Sequence, residues 1–133
     1  MVSFLKEGVS LEVSLAGRSL AKSGTGIKPL LELVESGVDY SGASLKDRVT
    51  GNAAALLDLY LGIISLETDV ISSSALSLLK EKGVKVSFAK EIPVILNHTH
   101  SDLCPLEKAT QGISSPEAGL KIIRETLAKM KGK

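Results

Sequence analysis

Helix-like and strand-like segments alternate in the second half of the chain, and this alternation constrains the fold more than any other feature. Residues 63–71 and 84–88 have the apolar composition of buried strands, and residues 75–82 between them have leucines at helical spacing. Strands joined through a helix run parallel, because the helix returns the chain to the same edge of the sheet. The pattern therefore predicts right-handed crossovers and a largely parallel sheet, with a further strand at residues 92–96 that begins near Pro93.

The N-terminal part predicts an antiparallel hairpin followed by a helix. Residues 10–16 alternate between apolar and polar side chains, Gly17-Arg18 has the composition of a tight turn, and residues 19–22 can return as the partner strand. A loop at residues 23–26 then leads into a helix over residues 29–37. Glycines in such a loop can cradle an anion, but turn formation alone also accounts for them.

A second helix is predicted at residues 51–61, with Thr50 as its N-cap. A short stretch dense in charge precedes it, and Asp47 stands there between two basic residues. Asp47 could act as a nucleophile or accept a sugar hydroxyl, while the basic neighbours and the helix dipole hold a phosphate. The alternative is a solvated charge triplet on a turn. The small residues at 53–55 would let a ligand or another backbone come close.

The segment 97–107, NHTHSDLCPLE, contains the only cysteine of the chain. Pro105 favours a helix over residues 105–111 with Cys104 as its N-cap, where the helix dipole lowers the pKa of a thiol. Glu107 is predicted to accept a hydrogen bond from the Cys104 N–H, as in a capping box. Cys104 is therefore a candidate reactive residue, and a small side chain that fills a cap is the alternative.

The same segment contains both histidines. In an extended chain His98 and His100 point to one face, and with Asp102 or Cys104 they could bind a transition metal; solvated loop residues are the alternative. Asn97 follows an apolar segment at the kind of strand end where α/β folds bind ligands. It is a candidate polar contact.

The composition limits the classes of function. With 44% hydrophobic and 23% charged residues, the 133-residue chain is expected to form one globular domain over residues 1–133. A net charge of +1 does not favour nucleic-acid binding, and one cysteine excludes an internal disulfide and a four-cysteine zinc site. No signal-peptide pattern and no membrane-spanning run is found, so we expect a cytoplasmic prokaryotic protein without a membrane partner.

The order of predicted elements indicates an α/β fold, a three-layer α/β/α sandwich with an antiparallel hairpin followed by parallel strands. Four segments, GIKPLLELVESG, DRVTGNAAALL, VISSSALSLLKEKGVKVSF and ILNHTHSDLCPLE, together resemble the domain-of-unknown-function eighteen-ninety-three family of small prokaryotic proteins. The resemblance extends from about residue 24 to residue 112. It implies a cytidine-deaminase-like fold.

Zinc deaminases place H-A-E or C-A-E at one helix start and P-C-x-x-C at another. The corresponding stretches here are Asn52-Ala53-Ala54 and residues 104–107, which lack a zinc-ligand set and the catalytic glutamate. Zinc-dependent deamination is therefore not expected. The family pattern has lysine at the position of Asn52 and arginine at that of His98, and both differences remove positive charge. The residues that fit the pattern are Asp47, Gly51, Asn97, Cys104, Pro105 and Glu107.

The leading hypothesis is a deaminase-like domain, without a cofactor, that binds a nucleotide or a nucleotide-derived small molecule between two facing helix starts. Its candidate contacts are Asp47, Gly51, Asn52, Ala53, Asn97, His98, Cys104, Pro105 and Glu107. A second hypothesis is an enzyme in which Cys104 is the nucleophile, with His98 or His100 as base, and Asp47 is a further catalytic candidate. A third is a homodimeric regulatory protein that buries this cleft against a partner.

Overall fold

The computed structural model describes residues 3–97 and 101–131, and within them the chain forms five strands and five helices. None of these helices is long and apolar enough to cross a membrane. The strands are β1 (Leu11–Leu15), β2 (Arg18–Lys22), β3 (Ser44–Thr50), β4 (Ser65–Ser72) and β5 (Lys85–Ile92). The helices are α1 (Lys28–Glu35), α2 (Asn52–Leu61), α3 (Ser73–Glu81), α4 (Pro105–Ala109) and α5 (Pro116–Lys131).

The strands form one mixed sheet in the order β2-β1-β3-β4-β5. β1 pairs antiparallel with β2 and with β3, whereas β3, β4 and β5 run parallel to their neighbours. α2 joins β3 to β4, and α3 joins β4 to β5, as parallel pairing requires. The predicted α/β class, the N-terminal hairpin and the mixed sheet are therefore confirmed.

The central strand β3 was not predicted as a strand, because charged residues occupy its middle. Its pairing is nevertheless extensive: Leu45 pairs with Val13 on one side and with Leu66 on the other, and all three side chains are buried. Lys46 points elsewhere and approaches Glu12 on β1 at 3.8 Å. The sequence pattern failed here because each charge has its own partner or cavity in the folded protein, which local composition does not reveal.

β5 is one strand, where the sequence predicted two, at residues 84–88 and 92–96. It runs in register with β4 from Lys85 to Ile92 and ends before Pro93. Proline has no N–H to continue the ladder, so the residues that follow contribute only an isolated antiparallel bridge between Leu96 and Leu103.

The ends of the central helices are set by local contacts. The prediction that Thr50 caps α2 is wrong: Gly51 is the N-cap, and the Thr50 hydroxyl donates to the Thr68 hydroxyl at 2.9 Å. α2 ends at Gly62, whose backbone is left-handed with φ 84°. Ser72 is the N-cap of α3 and accepts a hydrogen bond from the Ala75 N–H.

α2 is the central helix of the core. Residues 52–58 are all buried, and α2 packs against α1, α3 and α5 as well as against β3. The contact with α5 is close: a Cβ on Gly119 would lie 2.7 Å from a methyl carbon of Leu56. Because neighbouring elements surround α2, the position of its N-terminus is fixed by the whole fold.

Candidate functional site

A cavity of about 280 Å³ opens between the start of α1, the end of β3, the start of α2 and the residues around α4. Its walls are mainly aliphatic. The residues that line it are Ser10, Leu11, Gly24, Gly26, Ile27, Pro29, Leu30, Asp47, Arg48, Val49, Gly51, Ala53, Ala54, Ile95, Cys104, Leu106 and Glu107. Five residues that the sequence nominated, Asp47, Gly51, Ala53, Cys104 and Glu107, therefore meet in one place.

The start of α2 is capped by a carboxylate from a distant part of the chain. Glu107, on α4, accepts a hydrogen bond from the Asn52 N–H at 2.7 Å through Oε1 and from the Ala53 N–H at 3.1 Å through Oε2. The predicted capping box is therefore wrong, since the Cys104 N–H donates to the Ile95 carbonyl instead. A negative charge at a helix N-terminus is stabilised by the helix dipole and by N–H groups that have no partner inside the helix.

Gly51 is small because the Glu107 carboxylate occupies the space beside it. A Cβ on Gly51 would lie 2.4 Å from Oε1 of Glu107 and 2.6 Å from its Cδ. The backbone φ of Gly51 is −98°, an angle that other residues adopt freely. Space, and not backbone conformation, is therefore the reason for glycine at this position.

Asn52 contributes to the architecture and not to the cavity wall. Its side-chain amide donates to the carbonyl of Thr110 at 2.7 Å, which ties α2 to the end of α4. Asn52 and Glu107 also line a smaller cavity of about 170 Å³ near Ser72 and Gln111. The neutral amide of Asn52 therefore serves as a tether between two helices.

Asp47 is the acidic group of the main cavity. Its Oδ1 accepts a hydrogen bond from the Arg48 N–H at 2.8 Å. Burial raises the pKa of Asp47 from 3.8 to about 7, against the opposing effect of that hydrogen bond, and the negative charge of Asp69 raises it further. Asp47 therefore changes its charge near neutral pH, as a group that exchanges protons or hydrogen bonds with a ligand would do.

The Arg48 guanidinium does not supply positive charge to the cavity. It donates to the carbonyls of Val9 and Lys6, each at 2.8 Å, and lies 3.7 Å from the Asp69 carboxylate. Asp69 also accepts hydrogen bonds from the Ser3 hydroxyl and the Phe4 N–H, so this group of contacts ties the N-terminal segment to the sheet. The predicted role of the basic residues beside Asp47 as phosphate ligands has no support from this arrangement.

A second buried acid lies behind the first. The side chain of Asp58, on α2, has no exposed surface, and neither of its carboxylate oxygens has a hydrogen-bond partner among the described residues. Burial, and then the charge of Asp47, raise the pKa of Asp58 well above its ordinary value. In the sequence this residue stands out only as a single acid in an otherwise apolar helix.

The other candidate residues from the sequence either do not line the main cavity or lie outside the described residues. Asn97 bonds within its own loop, where its Oδ1 accepts from the Ser101 N–H at 3.1 Å. Pro105 opens α4 as predicted but does not line the cavity. His98 and His100 lie outside the described residues. Among residues 3–97 and 101–131, no three His, Cys, Asp or Glu side chains group as metal ligands do.

The loop before α1 contributes more residues to the cavity wall than the sequence indicated. Gly24, Gly26 and Pro29 line the cavity, and Ser10 holds the loop in place because its hydroxyl donates to the Gly24 carbonyl at 2.7 Å. The glycine-rich loop was the available signal, but its closeness to Asp47 depends on the β1–β3 pairing, in which Leu11 lies opposite Asp47.

Replacement of Glu107 by alanine is expected to lower the free energy of unfolding by roughly 1–3 kcal/mol, because two N–H groups at the start of α2 lose their partner. Urea denaturation followed by circular dichroism measures the change. Glu117→Ala removes an exposed acid from the first turn of α5 and is the matched control. Equal midpoints for the two variants would contradict a capping role for Glu107.

Stability is expected to fall as pH rises from 5 to 8, because the folded protein keeps a proton on Asp47 up to about pH 7 whereas the unfolded chain loses it near 3.8. The Asp47→Asn variant should show a smaller fall, by on the order of 2 kcal/mol, because asparagine has no proton to lose in this range. Denaturation at several pH values measures this effect. The exposed Asp39→Asn change should retain the wild-type fall. An unchanged fall in Asp47→Asn would assign the titration to Asp58.

The family model described as domain of unknown function (DUF1893) matches residues 2–127. A DUF1893 family protein of known structure from Thermotoga maritima is 32% identical, with a TM-score of 0.77 over 91% of this chain and 80% of that chain. The apo dCMP deaminase from cyanophage S-TIM5 is 16% identical, with a TM-score of 0.45 over 63% of this chain and 79% of that chain. No curated protein matches the chain. The resemblance seen in the sequence is confirmed, and the chain belongs to the DUF1893 family.

Proposed function

We propose that this protein binds a small molecule of nucleoside or nucleobase size in the cavity between α1, β3, α2 and α4. The observation that carries the proposal is the combination of an aliphatic cavity of about 280 Å³ with one partly buried acid, Asp47, in its wall. Small-molecule sites are typically concave and apolar, with few polar groups that fix the orientation of the ligand. At about 280 Å³ this cavity lies just below their usual range of roughly 300–1,000 Å³.

The wall suits a flat ring better than a flexible chain. Ile27, Leu30 and Leu106 offer apolar surface, whereas Gly24 and Gly26 have no side chains that would keep a ligand away from the backbone. A ring between these surfaces removes apolar area from water, which favours binding by about 25 cal/mol per Å². Its polar edge would then meet Asp47.

The hydrogen bonds of Asp47 leave room for such a contact. Among the described residues, only its Oδ1 is engaged, by the Arg48 N–H. Oδ2 can accept a hydrogen bond from an N–H or O–H group of a ligand, and in the protonated state the carboxyl can also donate. A nucleoside base or sugar offers both kinds of partner, which favours the nucleotide-derived class of ligand.

The geometry favours the base or nucleoside portion over a phosphate at the start of α2. The N–H groups of Asn52 and Ala53, which would bind a phosphate there, already donate to Glu107. A phosphate would have to displace this carboxylate and would meet its charge. The protein is therefore proposed to bind the uncharged part of a nucleotide-like molecule, with any phosphate directed to solvent.

Ala54→Leu is expected to abolish binding, because Ala54 lines the cavity and the larger leucine side chain would occupy part of its volume. Binding of the four common nucleosides, their free bases and their 5′-monophosphates is measured by saturation-transfer NMR and by thermal shift. Ala118→Leu makes the same change on an exposed face of α5 and is the control. Native mass spectrometry of the protein as purified shows whether a ligand is already bound.

Binding that survives in Ala54→Leu would place the ligand elsewhere, and the proposal would then be wrong. Binding of monophosphates that is much tighter than binding of the matching nucleosides would contradict the phosphate argument alone. Gly51→Leu is not a suitable test, since its side chain would collide with Glu107 and disturb the start of α2.

A Cys104-dependent enzyme is the second candidate, because the half-buried Cys104 lies in the wall of the same cavity. A nucleophilic thiol needs a lowered pKa, and therefore reacts with iodoacetamide well below the ordinary thiol pKa of about 8.5. Mass spectrometry measures the extent of Cys104 alkylation at several pH values, and the midpoint of this curve reports the pH at which the thiol becomes reactive. A midpoint below about 7 would favour the enzyme, whereas a midpoint near 8.5 would leave the binding function alone.

A further inference from the structure

We infer that the ligand of this cavity carries a cationic nitrogen, such as a protonated amine or an amidine, at the end that meets Asp47. This inference rests on the proposed function and adds the chemical class of the ligand. A nucleoside-like ring with a basic nitrogen agrees with the proposed function and with this inference.

The charged residues of the described cavity wall give a negative balance. They are Asp47, Glu107 and Arg48. The Glu107 carboxylate is satisfied by two N–H groups of α2, and the Arg48 guanidinium bonds to backbone carbonyls of the N-terminal segment. Asp47 therefore forms no ion pair with the cation of this wall, although burial makes a carboxylate costly to ionise without a partner.

A second acid, Asp58, lies inward from the cavity. Gly51, Ala54 and Asp58 follow one another at helical spacings of three and four residues, so they lie along one stripe of α2. Gly51 and Ala54 line the cavity, which places Asp58 on the same side of the helix one turn further in. Its carboxylate is fully buried and has no hydrogen-bond partner among the described residues.

Of the two acids near this apolar cavity, Asp47 is the one that ionises. Burial and the charge of Asp47 raise the pKa of Asp58 well above its ordinary value, so Asp58 keeps its proton. A cation near Asp47 would supply the countercharge that the wall does not place beside it, in surroundings where the attraction is stronger than in bulk water. An anion would be repelled by the ionised Asp47.

A matched series of probes tests the charge of the ligand on the unmodified protein. Benzylamine, benzyl alcohol and benzoate have similar rings and differ in charge. Their affinities are measured by titration calorimetry at about pH 8, where the amine is protonated and Asp47 is ionised. Benzylamine is expected to bind about tenfold or more tightly than benzyl alcohol, and benzoate not to bind. At about pH 6, where Asp47 keeps most of its protons, binding of the amine should also release protons, seen as a dependence of the enthalpy on the buffer.

Single-charge variants locate the effect. Asp47→Asn should remove the preference for benzylamine, while benzyl alcohol keeps its affinity in this variant. Glu81→Gln removes an exposed acid at the end of α3 and should change nothing. Because the three probes are first compared on the wild-type protein, the conclusion does not depend on the folding of either variant.

The outcomes separate this inference from the proposed function. Equal binding of benzylamine and benzyl alcohol, blocked by Ala54→Leu, would overturn the cationic class and leave the cavity as a small-molecule site. Tighter binding of benzoate would also overturn it. If no probe and no nucleoside binds in the cavity, the proposed function itself is wrong, and the inference is overturned with it.

Discussion

The hydrogen bonds from the start of α2 to Glu107 are the contact on which the site depends. They join segments 54 and 55 residues apart in the sequence, and they hold α4 against the central helix of the core. They also explain glycine at position 51, where any Cβ would meet the carboxylate. With its own side chain, the protein thus occupies the place that many α/β folds leave for a phosphate. The cavity beside it is left without an anion-binding helix end at α2.

The middle of β3 shows how one strand can carry three charges near the centre of a sheet. Lys46 approaches Glu12, and Arg48 bonds to the N-terminal segment, so both cations have partners outside the cavity. Asp47 is left to face the cavity, with a single backbone hydrogen bond to offset its burial. The distribution of these partners, and not the net charge of the segment, decides the electrostatics of the site.

Local features of the fold could be predicted from the sequence, because their causes lie within a few residues. The hairpin, the cap at Ser72 and the stop at Gly62 depend on alternation, a hydroxyl and a left-handed glycine. The role of Glu107 could not be predicted in the same way. A capping box and a distant cap use the same residue type at the same helix position, and only the tertiary fold, which brings Asn52 to α4, decides between them.

The cavity likewise depends on contacts between distant segments. The sequence indicated Asp47 and Cys104 through their positions before helices, but it did not indicate that the loop before α1 lines the same cavity. It also passed over Asp58, since one acid in the run AAALLDLYL looks like an exposed position on a helix that is otherwise apolar. Residues 52–58 are instead buried on every side, so this acid has no route to water. A buried acid without a hydrogen-bond partner lowers stability, and burial offsets this cost in part by raising its pKa so that it stays neutral. The packing of α2 alone therefore gives no reason for an acid at this position.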